Sequence, residues 1–254
     1  MVTVVILLAG GCNKDDDSTH NSSYSLEVKD ILGVTGQVTF TEKSSTSTTI
    51  DITLNNAPAG SNHAYLYIHS IVEDGEVVQT LNPVDESGKS STVVDMTYSE
   101  LIAYDGCVRV LKSSSENNLI IAQGDIGGNV ITTTSKTYTL TTKGVFGVSG
   151  SALFEKRENG NTLVTISLMG IIAKDVYPAT INLGSIASVG GGPVVKTLNN
   201  VVGTSGKSFT NIRNLNSEIP ITYDNWMVYD GYINIYQAPL ASGIVISHGN
   251  IGSN

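Results

Sequence analysis

The chain has 254 residues, a net charge of −9, and 15% charged against 40% hydrophobic residues. That balance excludes a disordered polymer, and the acidic excess argues against nucleic acid, whose phosphates call for clustered Lys and Arg. The length has room for two domains of ordinary size, and a fill of Thr, Ser, Val, Ile and Gly with only six Pro is β-rich.

Residues 1–11 are an apolar run that ends in small residues directly before Cys12. The run resembles a bacterial lipoprotein signal with Ala9-Gly10-Gly11-Cys12 as its lipobox. The resemblance implies that Cys12 is lipidated and that its acyl chains hold the protein to a membrane. The run is shorter than the roughly 20 residues of a spanning helix. It is also short for a full signal and lacks a basic start, so a misplaced start codon, a clipped segment or an N-terminal strand stay open. The following Lys14-Asp15-Asp16-Asp17 resembles the export signal of Bacteroidota lipoproteins, which implies an outer-membrane protein exposed at the cell surface. Asp17-Ser18-Thr19 fits the short O-glycosylation pattern of the same phylum, and residues 12–22 otherwise read as a polar tether.

From residue 23 to 129 apolar and polar residues alternate in short runs. The alternation predicts strands over Gln37–Phe40, Thr49–Leu54, Ala64–Ile71, Val77–Leu81, Ser91–Met96, Cys107–Lys112 and Leu119–Gln123, with a helical turn at Tyr98–Ala103. Residues 130–137, VITTTSKT, read as a linker. Residues 138–254 repeat the pattern with strands over Ser151–Phe154, Leu163–Leu168, Ala179–Ile186, Val194–Leu198, Phe209–Ile212, Tyr232–Tyr236 and Ile244–Ser247, and a turn at Tyr223–Val228. Asn159-Gly160 is a hairpin signal.

The repeat is explicit near the end of each half: YSELIAYDGCVRV and IIAQGDIGGN between Tyr98 and Asn129 match YDNWMVYDGYINI and IVISHGNIGSN between Tyr223 and Asn254. The chain is therefore two copies of one unit. Seven or eight short strands per copy predict an all-β protein of two tandem β-sandwich domains with an Ig-like architecture. Charge is divided unevenly: Tyr24–Asn129 holds 14 Asp and Glu against five Lys and Arg, and Tyr138–Asn254 holds six against seven. Drift between duplicated domains explains this, and so does a first copy that faces cations or a basic partner.

Several pieces recur in order in both copies or frame the first: the glycine-bracketed Gly33-Val34-Thr35-Gly36 and Gly147-Val148-Ser149-Gly150, the turn Pro58-Ala59-Gly60, Leu81–Asp85, Gly88–Ser90 and the closing Ala122–Gly127. Together they resemble the CHRD domain, first described in chordin, and the tandem CHRD lipoproteins of flavobacteria and their relatives. The resemblance covers residues 24–254. Such domains usually carry a histidine-rich strand resembling H-P-A-H-I-H and a later V-N-V-H strand. Here the corresponding stretches are His63–Ile68 and Tyr177–Asn182, then Val108–Leu111 and Ile233–Tyr236, so only His63 survives.

Chemistry is thinly signalled. His63 and His69, six positions apart, would lie roughly 20 Å apart along one strand at about 3.3 Å per residue, too far to share a metal. Asp74 and Glu76, in the acidic stretch Glu73–Glu76 near Asp85-Glu86, are weak candidates for Ca²⁺, with solvated edge charges as the alternative. Cys107 matches Tyr232 in the second copy, which suits packing better than reactivity. Gly190-Gly191-Gly192 is a loop without the strand context of a phosphate cradle, and no G-x-S-x-G elbow occurs. The expected function is a non-catalytic binding or structural module with no cofactor. Its partners are the membrane, through Cys12, and an unidentified surface protein or glycan. The alternative is a metal-binding (Cu, Zn or Ca) or redox-related domain whose histidine site is mostly lost. Tyr65, Tyr67, Tyr98, Tyr104, Tyr223, Trp226, Tyr229, Tyr232 and Tyr236 are where a contact surface would be sought.

Overall fold

A computed structural model describes residues 20–73, 75–112, 119–144, 147–188, 190–237 and 243–254. The first copy contains β1 (Asn21–Val28), β2 (Thr35–Ser44), β3 (Ser47–Asn55), β4 (Asn62–Ile68), β5 (Val77–Val84), β6 (Lys89–Val94), β7 (Asp105–Leu111) and β8 (Ile120–Gly127). The second contains β9 (Ile131–Thr142), β10 (Ser149–Arg157), β11 (Thr162–Met169), β12 (Val176–Leu183), β13 (Val194–Val202), β14 (Lys207–Ile212), β15 (Asp230–Tyr236) and β16 (Val245–Gly252). Two short helices, α1 (Tyr98–Ile102) and α2 (Tyr223–Met227), each start at a capping box, Thr97 with Glu100 and Thr222 with Asn225. The reciprocal bonds satisfy backbone N–H groups that a helix start leaves open.

All strand pairs are antiparallel, and the copies share one neighbour order: β5-β4-β7-β8-β1-β2-β3-β6, then β13-β12-β15-β16-β9-β10-β11-β14, the latter closed into a barrel. The expected sandwich is thus corrected to two rolled eight-stranded sheets. Alternation serves either architecture equally, and only the long-range pairing that brings the last strands together separates them. At the seam of the second copy Val202 pairs with Lys207, and Asn199 donates its N–H to the Thr210 hydroxyl (2.9 Å) and its side-chain amide to Phe209 O (2.6 Å). Asn82 repeats both bonds in the first copy, to Thr92 (2.8 Å) and Ser91 O (2.6 Å). Both seams thus carry a threonine side chain in place of a ladder carbonyl; the second sheet closes through the Val202–Lys207 pair, and among the described residues β5 and β6 have no such pair.

Four boundaries also differ from expectation. The presumed linker is β9 from Ile131 onward, paired through Ser135↔Glu155 and Thr137↔Leu153. Most of its first half is exposed, so no apolar alternation marked it. For the same reason β1 escaped notice; it begins inside the presumed tether, with Asn21 opposite Thr41. Strands β4 and β12 stop three residues early because His69 (φ 69°) and Gly184 (φ 89°) adopt left-handed backbone that breaks the strand.

Each copy has its own core. Phe40, Ile50, Leu66, Val108, Val110 and Ile121 point inward in the first, closed by Leu101 of α1. Phe154, Val164, Ile181, Ile233 and Ile235 do so in the second, where Trp226 of α2 packs edge-on to Phe154 at 6.2 Å. Trp226 is the one tryptophan of the chain and so reports on the second copy alone. Phe154→Ala is expected to cost about 3–5 kcal/mol, read as a lower urea midpoint of Trp226 fluorescence; an unchanged midpoint would mean the ring is not a core element.

Candidate functional site

Inward residues of β12, β15 and β16 are apolar, so their partners in alternation face out. Cross-strand register sets them in two rows, Thr180–Asn234–His248 and Asn182–Tyr232–Asn250. An outward row would ordinarily be solvated, yet Asn182, Tyr232 and Asn234 are buried. The cause is the chain that follows β12, which folds back over this face. Asn250 accepts from the N–H of Ile186 (2.9 Å), the Tyr232 hydroxyl accepts from the N–H of Gly192 (2.8 Å), and the Asn182 amide donates to Gly192 O (2.9 Å). The glycines have physical reasons. Gly190 and Gly191 hold φ of 79° and 72°, and a Cβ on Gly192 would fall 1.7 Å from Leu183 O.

Between loop and sheet lies an open cavity of about 420 Å³, within the usual range for small-molecule sites, lined by Lys143, Asn182, Asn234, Tyr236, His248 and the Gly190–Gly192 loop. Among the described residues no Asp or Glu lines it. Asn234 is 7% exposed and its Oδ1 has no hydrogen-bond partner. Its amide nitrogen lies 3.5 Å from the Tyr236 hydroxyl, and Thr180 donates to Asn182 Oδ1 at 2.6 Å. Burial, and then the charge of Lys143, hold the His248 imidazole below its usual range, so at neutral pH it is uncharged and has both a donor and an acceptor.

The same face of the first copy is occupied. Register places Arg109 where the second copy has Asn234, Tyr67 at Asn182, Cys107 at Tyr232, Gln123 at His248 and Asp125 at Asn250. The loop after β4 folds over in the same way, with the N–H of Ile71 bonded to Asp125 Oδ1 (2.8 Å). Here the Arg109 guanidinium sits 4.9 Å above the Tyr67 ring and donates to Ile71 O (3.2 Å) and Glu73 O (3.1 Å). Where the first copy holds a guanidinium, the second has a short amide and a cavity. Beneath the loop, burial pushes the Cys107 thiol up to about 12, so this fully buried sulfur is not a nucleophile.

The second copy docks against this filled face. Arg157, from the end of β10 and fully buried, donates to Asp125 Oδ2 (2.7 Å) and to Asn129 O. Arg213 donates to Glu73 Oε1 (2.8 Å), lies 3.3 Å from Asp105 Oδ2, and reaches His69 Nδ1 at 2.9 Å. Asn211 donates to Glu73 Oε2 (2.9 Å). The basic partner of the acidic first copy includes the second copy itself. Asp105, the first residue of β7, faces His69 (3.1 Å) and Arg213.

The residues singled out from sequence fall elsewhere. His63 is the second residue of β4 and stacks on Tyr65 at 6.3 Å, while His69 lies just past the strand's other end. Glu76 is exposed immediately before β5. Cys12, Lys14, Asp15, Asp16, Asp17 and Asp74 lie outside the described residues. Among the described residues no group of three or more His, Cys, Asp and Glu is placed to hold a metal, and no helix is long and apolar enough to cross a membrane. Of the aromatics, Tyr223, Trp226 and Tyr232 are buried, whereas Tyr65, Tyr67 and Tyr236 keep partial exposure. Asn182, Asn234, Lys143, Arg157 and Arg213 were missed. The only signal available was the departure of Asn234 from Arg109 at matching repeat positions. No family model, curated protein or solved structure matches the chain.

Removing one partner of a buried ion pair strands the other, so Arg157→Ala is expected to cost about 3–5 kcal/mol at neutral pH. Burial pushes the Asp125 carboxyl above its usual range, against the pull of Arg157. A raised folded value favours folding most below the unfolded value of about 3.9 and loses that contribution as pH rises through the folded value. Without Arg157 the folded value rises further. The penalty of Arg157→Ala should therefore be largest at pH 7 and shrink toward pH 4, measured by urea unfolding at both; a pH-independent penalty would rule out this coupling.

Proposed function

We propose that this chain is a lipid-anchored, non-catalytic binding module exposed at the cell surface, built from two CHRD-like domains of which the second carries the binding face. The observation that carries this reading is the contrast between equivalent faces. In the first copy the face is filled by Arg109 and covered by the second copy. In the second copy the equivalent face keeps its covering loop but leaves a polar cavity open to solvent. Duplication has thus made one docking face and one vacant one, a division suited to a scaffold half and a binding half. Cavity groups supply hydrogen bonds rather than a nucleophile with a positioned base, which favours recognition over turnover.

Anchoring rests on Cys12 and the Lys14–Asp17 stretch. Cys12→Ser is expected to move the protein from the membrane fraction to the soluble one, and protease added to intact cells should digest the unaltered protein. A protein that stays membrane-bound after the substitution, or is protected from protease, would overturn the anchor or the surface location respectively. Binding is tested by a thermal-shift panel of sugars, peptides and the ions Cu²⁺, Zn²⁺ and Ca²⁺. The ions are included because a metal role would rest on His63, Asp74 and Glu76. Sugars or peptides that raise Tm should do so in the unaltered chain and not in Asn234→Arg, whereas a shift by ions that survives Asn234→Arg would assign them to the first copy; a panel silent in every class would overturn the binding role.

A further inference from the structure

We propose that the cavity on the outer face of the second copy binds a carboxylated sugar unit, with Lys143 taking the carboxylate and Asn234, Asn182, Tyr236 and His248 taking the ring hydroxyls. The proposal rests on the reading of the second copy as the binding half and names what it binds.

Three observations converge. The first is the contrast between the two faces. The first copy shows this site satisfied from within, by a guanidinium bonded to two loop carbonyls and stacked on Tyr67. The second copy keeps the covering loop, replaces the arginine with Asn234 and replaces Tyr67 with Asn182. The second is an unmet hydrogen-bond acceptor. Asn234 is 7% exposed and its Oδ1 has no partner, an arrangement that is destabilising if nothing answers it. Asn234 lines the cavity and its amide is held there only by the 3.5 Å contact with Tyr236, so a ligand hydroxyl that displaces this contact would let the carboxamide turn and pair its oxygen. Two carboxamides, a phenol and an uncharged imidazole each offer donors and acceptors together, which matches a sugar hydroxyl that both gives and receives.

The third is the charge of the lining. Among the described residues Lys143 is the one charged side chain lining the cavity, and no carboxylate lines it. A cationic ligand would meet Lys143 with nothing to neutralise it, whereas a single carboxylate would pair with it. Phosphate chemistry fits less well. The N–H groups of Gly191 and Gly192 already donate to Ser188 O and the Tyr232 hydroxyl, so the glycine run does not offer those donors to an oxyanion. A metal ion fits less well too, since His248 is the only imidazole in a lining without carboxylate or thiolate.

The test is calorimetric titration of the full chain with glucuronic acid, its methyl ester and glucose, and with an oligosaccharide ending in glucuronate. Glucuronic acid should bind at least about tenfold more tightly than the ester or glucose, and Lys143→Ala should remove that preference. Asn234→Arg, which restores the residue of the first copy, should abolish binding without lowering Tm. Should that variant fold poorly, the near-isosteric Asn234→Asp places a negative charge in the cavity and should likewise lose the acid. Tight binding of the oligosaccharide with weak binding of the free acid would assign the site to glycan ends, and equal binding to free sugars. Equal affinity for acid and ester, or binding that survives Asn234→Arg, would overturn the proposal while leaving a binding module intact. Silence toward all four sugars, with peptides or ions active in the thermal-shift panel, would overturn the ligand class alone; silence in both experiments would overturn the binding role with it.

Discussion

The buried guanidinium of Arg157 holds the two halves of this molecule in one arrangement. It has no exposure to solvent, and its charge is answered by Asp125 and by the carbonyl of Asn129. A charge removed from water survives only where its partners are positioned for it, so the docking geometry has little latitude. Around it Arg213, Asn211, Glu73, Asp105 and His69 form a second, less buried layer of bonds. The surplus of acid in the first copy finds its counterpart here. It is not spread as a uniform field, because the residues that matter most lie on one loop and the ends of two strands.

Duplication followed by unequal change explains how one fold came to present two different faces. Backbone features are retained in both copies: the neighbour order of the strands, the asparagine at the seam, the capped helix, and the bond from the covering loop to Asp125 or Asn250. Side chains on the outer rows diverged instead. Arginine over tyrosine fills the first face, and two asparagines leave the second open. An outward row is free to change in this way because the inward row carries the packing. Exchange of a long cation for a short amide leaves the core of Ile and Val untouched.

The retained covering loop matters to what the second face can do. Without it, Asn182, Tyr232 and Asn234 would be solvated strand residues of no particular consequence. With it, they sit in a partly dry recess where a hydrogen bond discriminates between ligands more strongly than it would in open water. His248 feels the same environment, uncharged through burial and the nearby Lys143.

Much of this was legible along the chain, and the boundary of legibility is physical. Period two marked the strands whose inner faces reach a core, such as Thr49–Leu54 within β3 and Leu163–Leu168 within β11, because burial writes itself into composition. It failed at β1 and the first half of β9, where most side chains are solvated and composition is free to vary. The repeat itself, the two helical turns that start at Tyr98 and Tyr223, and the Asn159-Gly160 hairpin are local, and local chemistry was enough to place them. Barrel closure, the covering of an outward row by a loop, and the meeting of Arg157 with Asp125 join residues far apart in the chain. Nothing in their immediate neighbours constrains them. The sequence by itself determined an all-β chain in two related copies; tertiary structure alone decided which face each copy keeps open, because that depends on what lands on it.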